Sequence, residues 1–308
     1  MPADDLPRFL TLTGSYEPSG IRQLPDGAFI VVEDEEEQPF TLLRIGDGAV
    51  SCSRLEPMPG VSDDEEFWSL DDLEAVTVDD HGYVWALTSH SRSGSGQTRA
   101  NRERLLRFRV ADGRMLEPAL IVGLKEALTA AHPLLADAAK VRDVKARGGL
   151  NIEGLERHAR LGVLMLGFRS PLIDRQAIIA CVENPEALPA GREEPRIARH
   201  LWTMNLDGNG IRDIAHVPCL DGYLVIAGPV ARERSHFQLW FWSGVAGERT
   251  RRVLVPGLPG LERAEGVCPA IIDGRQRIVI VSDDGSRDER RCAHYLVLDP
   301  TELRIEPW

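Results

Sequence analysis

The sequence predicts an all-β fold assembled from repeated four-stranded units, on three observations. First, five short acidic or small-residue segments lead into hydrophobic strand pairs: Ser19-Gly20-Ile21, Leu73-Glu74-Ala75-Val76, Ile152-Glu153-Gly154-Leu155, Arg212-Asp213-Ile214 and Ala264-Glu265-Gly266-Val267. Second, each pair closes about fifteen residues later, at Glu33-Asp34, Ser89-His90-Ser91-Arg92, Gly167-Phe168-Arg169, Gly228-Pro229 and Ser282-Asp283-Asp284-Gly285; that spacing is two strands and a tight turn, so opening and closure lie side by side. Third, two further strands follow each pair, and repetition at one unit size marks a stacked or radial architecture.

The elements follow in order. The first unit reads Ser19 to Leu24, a Pro25-Asp26-Gly27 turn, Ala28 to Val32, Thr41 to Ile45, a Gly46-Asp47-Gly48 turn and Ala49 to Leu55, a meander with turn residues where the chain must reverse. The second repeats that plan from Leu73 to Val122. Between it and the third, apolar residues at Leu124, Ala127, Leu128, Ala131, Leu134, Leu135, Ala138 and Val141 have a helical period. Residues 124–147 are therefore expected as a small helical insert, divided at Pro133 because proline suits a first turn and disrupts an interior. The third unit runs from Asn151 to Leu206, with an exposed loop over Glu183 to Arg199. The fourth runs from Ile211 to Val255, and the fifth from Glu265 to Glu306, with Leu303 to Glu306 as its last strand. Phe9 to Thr13 is placed as an outer strand completing that blade. The expectation is a single β-propeller domain over residues 1–308 with five four-stranded blades, six being the alternative if the long third unit hides another. A β-sandwich competes, but does not require the same opening in every unit.

Composition narrows the function classes. Lys plus Arg total 36 against 48 for Asp plus Glu, a net charge of −12, which argues against binding a nucleic-acid backbone. No apolar run approaches the roughly 20 residues of a membrane span. The first seven residues have neither the basic flank nor the apolar stretch of a secretory signal, and five cysteines form no CxxC pair, so a cytoplasmic protein with reduced thiols is expected. There is no GxSxG, HExxH or GxGxxG motif.

In a propeller, first-strand starts and second-strand ends share one rim of the central channel. Ser19, Glu74, Glu153, Asp213 and Glu265 are expected to converge there, and such carboxylates repel one another unless cations compensate. Hard oxygen ligands without Cys or paired His favour Ca2+ or Mg2+, with Glu74, Glu153, Glu265 and Asp34 as ligands. The other reading is that each carboxylate accepts backbone N–H groups and latches the blades. His90, Arg92 and Arg169 are the candidate catalytic residues, and Ser91, Asn151, Asp283 and Asp284 the candidate ligand-binding ones. The acidic runs Glu33 to Glu37 and Asp63 to Glu66 read first as solvated loops. Ser91 to Gly96 reads as a flexible rim loop, and one of Trp240, Phe241 and Trp242 is expected to be exposed for a partner.

Several of these motifs, in this order, resemble the uncharacterised bacterial family DUF3616: Leu73-Glu74-Ala75-Val76, Thr88-Ser89-His90-Ser91, Gly149 to Leu155, Gly167 to Pro171, and Ala264 to Val267 with Ser282 to Gly285. That resemblance implies a propeller and no assigned activity. The Glu-Gly openings and Asp-rich closures are more distantly similar to phytase-like esterase propellers, which implies calcium-dependent phosphoester hydrolysis at the channel mouth. Ser19 and Asp213 depart from that pattern. The functional expectation is a divalent-cation-dependent hydrolase of a small anionic ester. The alternative is a scaffold that binds a protein partner through its rim and helical insert, and a sugar- or lactone-acting enzyme is a third class.

Overall fold

The computed structural model describes residues 7–34, 39–46, 49–57, 69–144, 148–231, 237–258, 260–261 and 263–307. The run Asp63 to Glu66 and the part of Glu33 to Glu37 beyond Asp34 lie outside these residues, as does the end of the helical insert at 145–147. A short β1 (Leu10–Thr11) precedes blade one, which comprises β2 (Pro18–Gln23), β3 (Phe29–Glu33), β4 (Phe40–Gly46) and β5 (Ala49–Arg54). Blade two is β6 (Leu73–Val78), β7 (Tyr83–Thr88), β8 (Leu105–Ala111) and β9 (Arg114–Ile121). The helices α1 (Leu124–Ala131) and α2 (Pro133–Ala138) follow. Blade three is β10 (Asn151–Arg157), β11 (Leu164–Ser170), β12 (Ala177–Val182) and β13 (Trp202–Met204). Blade four is β14 (Gly210–Val217), β15 (Gly222–Gly228), β16 (Gln238–Trp242) and β17 (Arg251–Leu254). Blade five is β18 (Ala264–Ile272), β19 (Arg275–Ser282) and β20 (His294–Leu298), and β21 (Arg304–Ile305) ends the chain.

Every blade is an antiparallel meander, and the inner strands form a closed ring: β2 lies beside β6, β6 beside β10, β10 beside β14, β14 beside β18, and β18 beside β2. The protein is a five-bladed β-propeller. Five hydrophobic clusters of the described residues sit one at each blade junction. Between blades one and five, for example, Ile21, Phe29 and Val31 meet Cys268, Val279 and Val281. A blade buries its two faces only against its neighbours, so the ring and the core form together.

Two expectations about the chain ends resolve differently. β1 does complete blade five, pairing Leu10 with Tyr295 and Thr11 with His294. Leu303 to Glu306 does not belong to that blade: β21 pairs with β17, making blade four five-stranded. The outer edge of β20 is already taken by β1, so the returning chain caps the nearest open edge instead. The sixth-blade alternative falls because Glu183 to Arg199 folds back on β12, with Ala198 N donating to Cys181 O at 2.8 Å. Trp240, Phe241 and Trp242 are all buried, so none of the three is presented to a partner.

The helical insert breaks at Pro133, as its sequence predicts, and packs Leu124, Leu128, Leu135 and Ala138 into the junction of blades two and three. Leu128→Ala is expected to cost about 2–5 kcal/mol, the range for emptying a filled leucine site, measured by urea unfolding.

One buried polar group crosses the axis. The Arg22 guanidinium forks onto Asp213 with two 2.9 Å bonds, donates to Ile21 O, Val267 O and Ile214 O, and reaches Leu155 O at 3.4 Å. Its Nε lies 3.7 Å from Glu156, whose carboxylate accepts from Thr77 at 2.7 Å. Burial pulls an arginine's pKa down, yet Asp213 and Glu156 more than offset this and hold it above its ordinary value. Arg22→Met leaves two buried carboxylates without their cation; it is expected to destabilise by about 3–5 kcal/mol, read as a fall in the urea midpoint.

Candidate functional site: the carboxylate mouth

Each inner strand begins with a β-bulge in its pairing to the second strand, between Pro18 and Gly20, Leu73 and Ala75, Ile152 and Gly154, Ile211 and Asp213, and Ala264 and Gly266. A bulge leaves one residue unpaired and re-aims its side chain. The five bulged residues are therefore Ser19, Glu74, Glu153, Arg212 and Glu265. Blade four contributes an arginine, not Asp213. Asp213 is the next residue, in register with Gly20, Ala75, Gly154 and Gly266, where inner strands approach closely. A Cβ on Gly266 would come within 3.1 Å of Ile21 N and one on Gly154 within 2.9 Å of Ile211 Cγ2. That proximity accounts for the Glu-Gly motif. At the same level the Asp213 carboxylate accepts from Val267 N and Ile214 N, both at 2.8 Å, and holds Arg22. Asp213 is thus a latch below the mouth.

Arg212 supplies the positive charge that the carboxylate ring needs. It contacts Glu265 at 2.8 and 3.1 Å and Glu153 Oε2 at 3.0 Å. Arg169 adds a second cation, donating to Glu153 Oε1 at 3.0 Å and to Pro229 O. Asn151 donates its amide N–H to the same Oε1 at 2.7 Å. Three glutamates share two guanidiniums, and the electrostatics divide accordingly. Burial alone would raise Glu153, but Arg212 and Arg169 more than offset it and hold the carboxyl below its ordinary value. Burial, reinforced by Glu153 and Asp283 against Arg212, pushes Glu265 up to about 8. Glu74 is driven well above its ordinary range by burial and by Glu153, Asp72, Asp34 and Glu265.

A cavity of about 310 Å³ opens beside this ring. Its lining carries four carboxylates, Asp34, Asp72, Glu74 and Asp143, and four arginines, Arg92, Arg102, Arg142 and Arg169, of which Arg102 pairs with Asp72; Ser91 and Asn151 also line it. The Asn151 Nδ2 bond to Glu153 fixes the amide orientation. It leaves Oδ1 buried without a hydrogen-bond donor.

The remaining expected site residues are placed unevenly. Ser91 lies at the cavity, where its hydroxyl donates to Asp72 and accepts from Arg102 at 2.9 Å. Arg92 also lies there but is bonded to Ala139 O at 2.9 Å and Gly96 O at 3.1 Å, joining the Ser91 to Gly96 loop to the helical insert. That loop is further tied by Ser93 to Ser95 and Gln97. His90 is fully buried outside the cavity lining, with Nδ1 2.8 Å from Thr88 O; burial lowers its pKa to about 4. Asp284 accepts from the backbone N and Nδ1 of His294 at 3.0 and 2.7 Å, joining the β19–β20 connection to β20. Asp283 sits near Glu265 without lining the cavity. Sequence reasoning missed Arg212, Arg102, Asp72 and Arg142. Arg212 was legible in principle, one residue before the Asp, had the bulge been used for alignment.

The family model described as a protein of unknown function (DUF3616) matches residues 143–299, just over half of the chain. The chain belongs to that family. No curated protein matches this DUF3616 member in sequence. Among solved structures, a family GH43 β-1,3-galactosidase crystallised with galactodeoxynojirimycin is similar at 10% identity, TM-score 0.51, over 97% of this chain and 99% of that one. A glucose dehydrogenase-type oxidoreductase of Thermus thermophilus is similar at 16% identity, TM-score 0.46, over 95% and 100%. At such identities the likeness is one of fold alone.

The glutamate ring of this DUF3616 protein also sets a pH dependence. Glu265 ordinarily titrates near 4.5 but holds its proton to about 8 in the folded chain. Between those values the folded state binds more protons than the unfolded one, so this contribution is full below the lower value and fades as pH rises through the upper. Unfolding midpoints in urea are expected to fall from pH 6 to pH 8.5, by at most about 1.4 kcal/mol per pH unit for one proton. Glu265→Gln flattens the profile to the share that Glu74 contributes.

Proposed function

We propose that the mouth cavity binds a small anionic ligand together with a divalent cation, Ca2+ or Mg2+, and that the ligand is an ester of an acid. The observation that carries this reading is that two residues of the cavity lining, Glu74 and Asn151, have side-chain oxygens without partners among the described residues. Glu74 lies among carboxylates with no hydrogen bond or ion pair among the described residues, and the buried Asn151 Oδ1 lacks a donor. Both are hard oxygen donors, the type that Ca2+ and Mg2+ take. Among the described residues no three Asp, Glu, His or Cys side chains form a ready metal cluster. An ion at Glu74 and Asn151 would therefore complete its shell with ligand and water oxygens. A cation so held polarises a phosphoryl or carboxyl oxygen, which is chemistry for ester hydrolysis.

The chain's own residues then have separate tasks. Arg142 is exposed at the cavity and is available to clamp an anion; Arg169 lines the same cavity, committed in part to Glu153. Charge-assisted bonds of this kind give orientation as well as affinity. His90 has no access to the cavity and takes no part. A scaffold role through the helical insert has less support, because the apolar face of α1 and α2 is already used against blades two and three.

Calorimetric titration with CaCl2, then with p-nitrophenyl phosphate, tests the proposal. Calcium binding is expected in the wild type and at least tenfold weaker in Glu74→Gln. Arg142→Ala is expected to weaken the phosphoester roughly tenfold, about 1.4 kcal/mol, while leaving calcium binding in place. Equal calcium heats in wild type and Glu74→Gln overturn the cation assignment.

A further inference from the structure

On the face opposite the carboxylate mouth, at the outer ends of β10, β14 and β15, lies a second cavity of about 250 Å³. Its walls are rings: Trp202, His158, His216 and Tyr223 line it, with Trp242 packed behind. Tyr223 and Trp242 have ring centroids 5.2 Å apart, His216 and Tyr223 5.0 Å, and Trp202 and Trp242 5.8 Å. Residues of blades three and four build it, well away from the glutamate ring.

Its rim is held in place by one histidine. His158 Nε2 lies 2.9 Å from Gly244 O, while its Nδ1 accepts from Arg160 N and Leu161 N at 3.2 Å each. Those partners place the donor N–H on Nε2 and the acceptor on Nδ1. The same ring thus ties the β10–β11 turn, which carries Leu161, to the β16–β17 loop, which carries Val245. Leu161 is 60% exposed and Val245 47% exposed, and both border the cavity. Two large aliphatic side chains held open over an aromatic floor are unusual on a surface that otherwise shows few of them.

The polar groups inside are few and uncharged in sum. Arg160 and Asp221 pair with each other at 3.0 Å. Tyr223 Oη accepts from Ala159 N at 2.8 Å, and its own proton makes no hydrogen bond among the described residues. Neither ring nitrogen of the half-buried His216 has a hydrogen-bond partner among them; burial, opposed by Asp221, keeps that ring below its ordinary pKa. Ser243 Oγ is committed to Glu248 at 2.6 Å, so the site offers flat apolar faces, one phenol proton, the two nitrogens of one imidazole and the Trp202 indole N–H, which has no hydrogen-bond partner among the described residues. A saccharide would bring more hydroxyls than these groups can satisfy, and unmet hydroxyls are costly when buried. An anion would find no free cation.

We propose that this cavity is a binding site for an uncharged aromatic ring bearing one hydroxyl or N–H group, stacked against Trp202 beneath Leu161 and Val245 and hydrogen bonded to His216. Pockets of this kind, mostly apolar with a small number of placed polar groups, are where small organic ligands bind.

Saturation-transfer difference NMR with p-cresol as probe tests the site in the full-length protein, with methyl β-D-galactopyranoside as the sugar control. Saturation of p-cresol is expected, falling at least fivefold in His216→Ala and in Leu161→Asp, while the glycoside gives no signal and does not displace the probe. Leu161 is a surface residue, so its variant remains decisive should the histidine variant fold poorly; the melting curve of each is recorded alongside. Absence of p-cresol saturation, an undiminished signal in Leu161→Asp, or displacement by the glycoside each overturns the proposal.

Discussion

Arg22 is the point at which the five blades become one object. It belongs to blade one, forks onto Asp213 of blade four, donates to carbonyls of blades one, four and five and reaches one of blade three; through Glu156 it is linked to Thr77 of blade two. Inner strands brought together around an axis leave backbone groups facing one another with little room for water, and a buried carbonyl without a donor is costly. A planar cation with five N–H groups is suited to answer several of them at once. The arrangement is high-stakes for the same reason: its two carboxylates tolerate burial only while the guanidinium is present.

Above that plug the geometry is governed by the bulges. A bulge frees one side chain from the ladder, and the following residue then lies where neighbouring inner strands nearly touch, so glycine or alanine occupies it in four blades. The fourth blade places a carboxylate there, and its bulged residue is the arginine that the glutamates require. One substitution pattern in one blade thus serves both levels of the channel: Arg212 compensates the mouth and Asp213 anchors Arg22. The remaining imbalance, three glutamates against two guanidiniums, is confined to Glu74 and Glu265, and Glu74 is the one that faces open space.

Much of the architecture was legible because the same opening, closure and turn residues recur from blade to blade. The helix break at Pro133 follows from local chemistry that the sequence displays. The site was legible only in part. Glu74, Glu153 and Glu265 announce themselves through the Glu-Gly and Glu-Ala pairs, but Asp213 drew the alignment by its charge although Arg212 holds the equivalent position. His90 and Asp284 resemble site residues by composition, while burial and pairing with His294 depend on tertiary neighbours that no local pattern encodes. Arg102 and Arg142 come from loops without periodicity, and the aromatic cavity is assembled from blades three and four by side chains as distant along the chain as His158 and Val245.

The closure of blade five has a consequence for how the chain is made. Leu10 and Thr11 pair with Tyr295 and His294, so one strand of blade five is synthesised before all four other blades and its partner after them. At about 5–20 residues per second, that strand waits roughly 15–60 s for β20. Until then β1 has no blade to join and is an open edge of the kind that recruits foreign strands, while the apolar face of blade one that blade five covers is bare. The nascent propeller is thus an open arc through the making of four blades, and becomes a ring only when β20 meets β1.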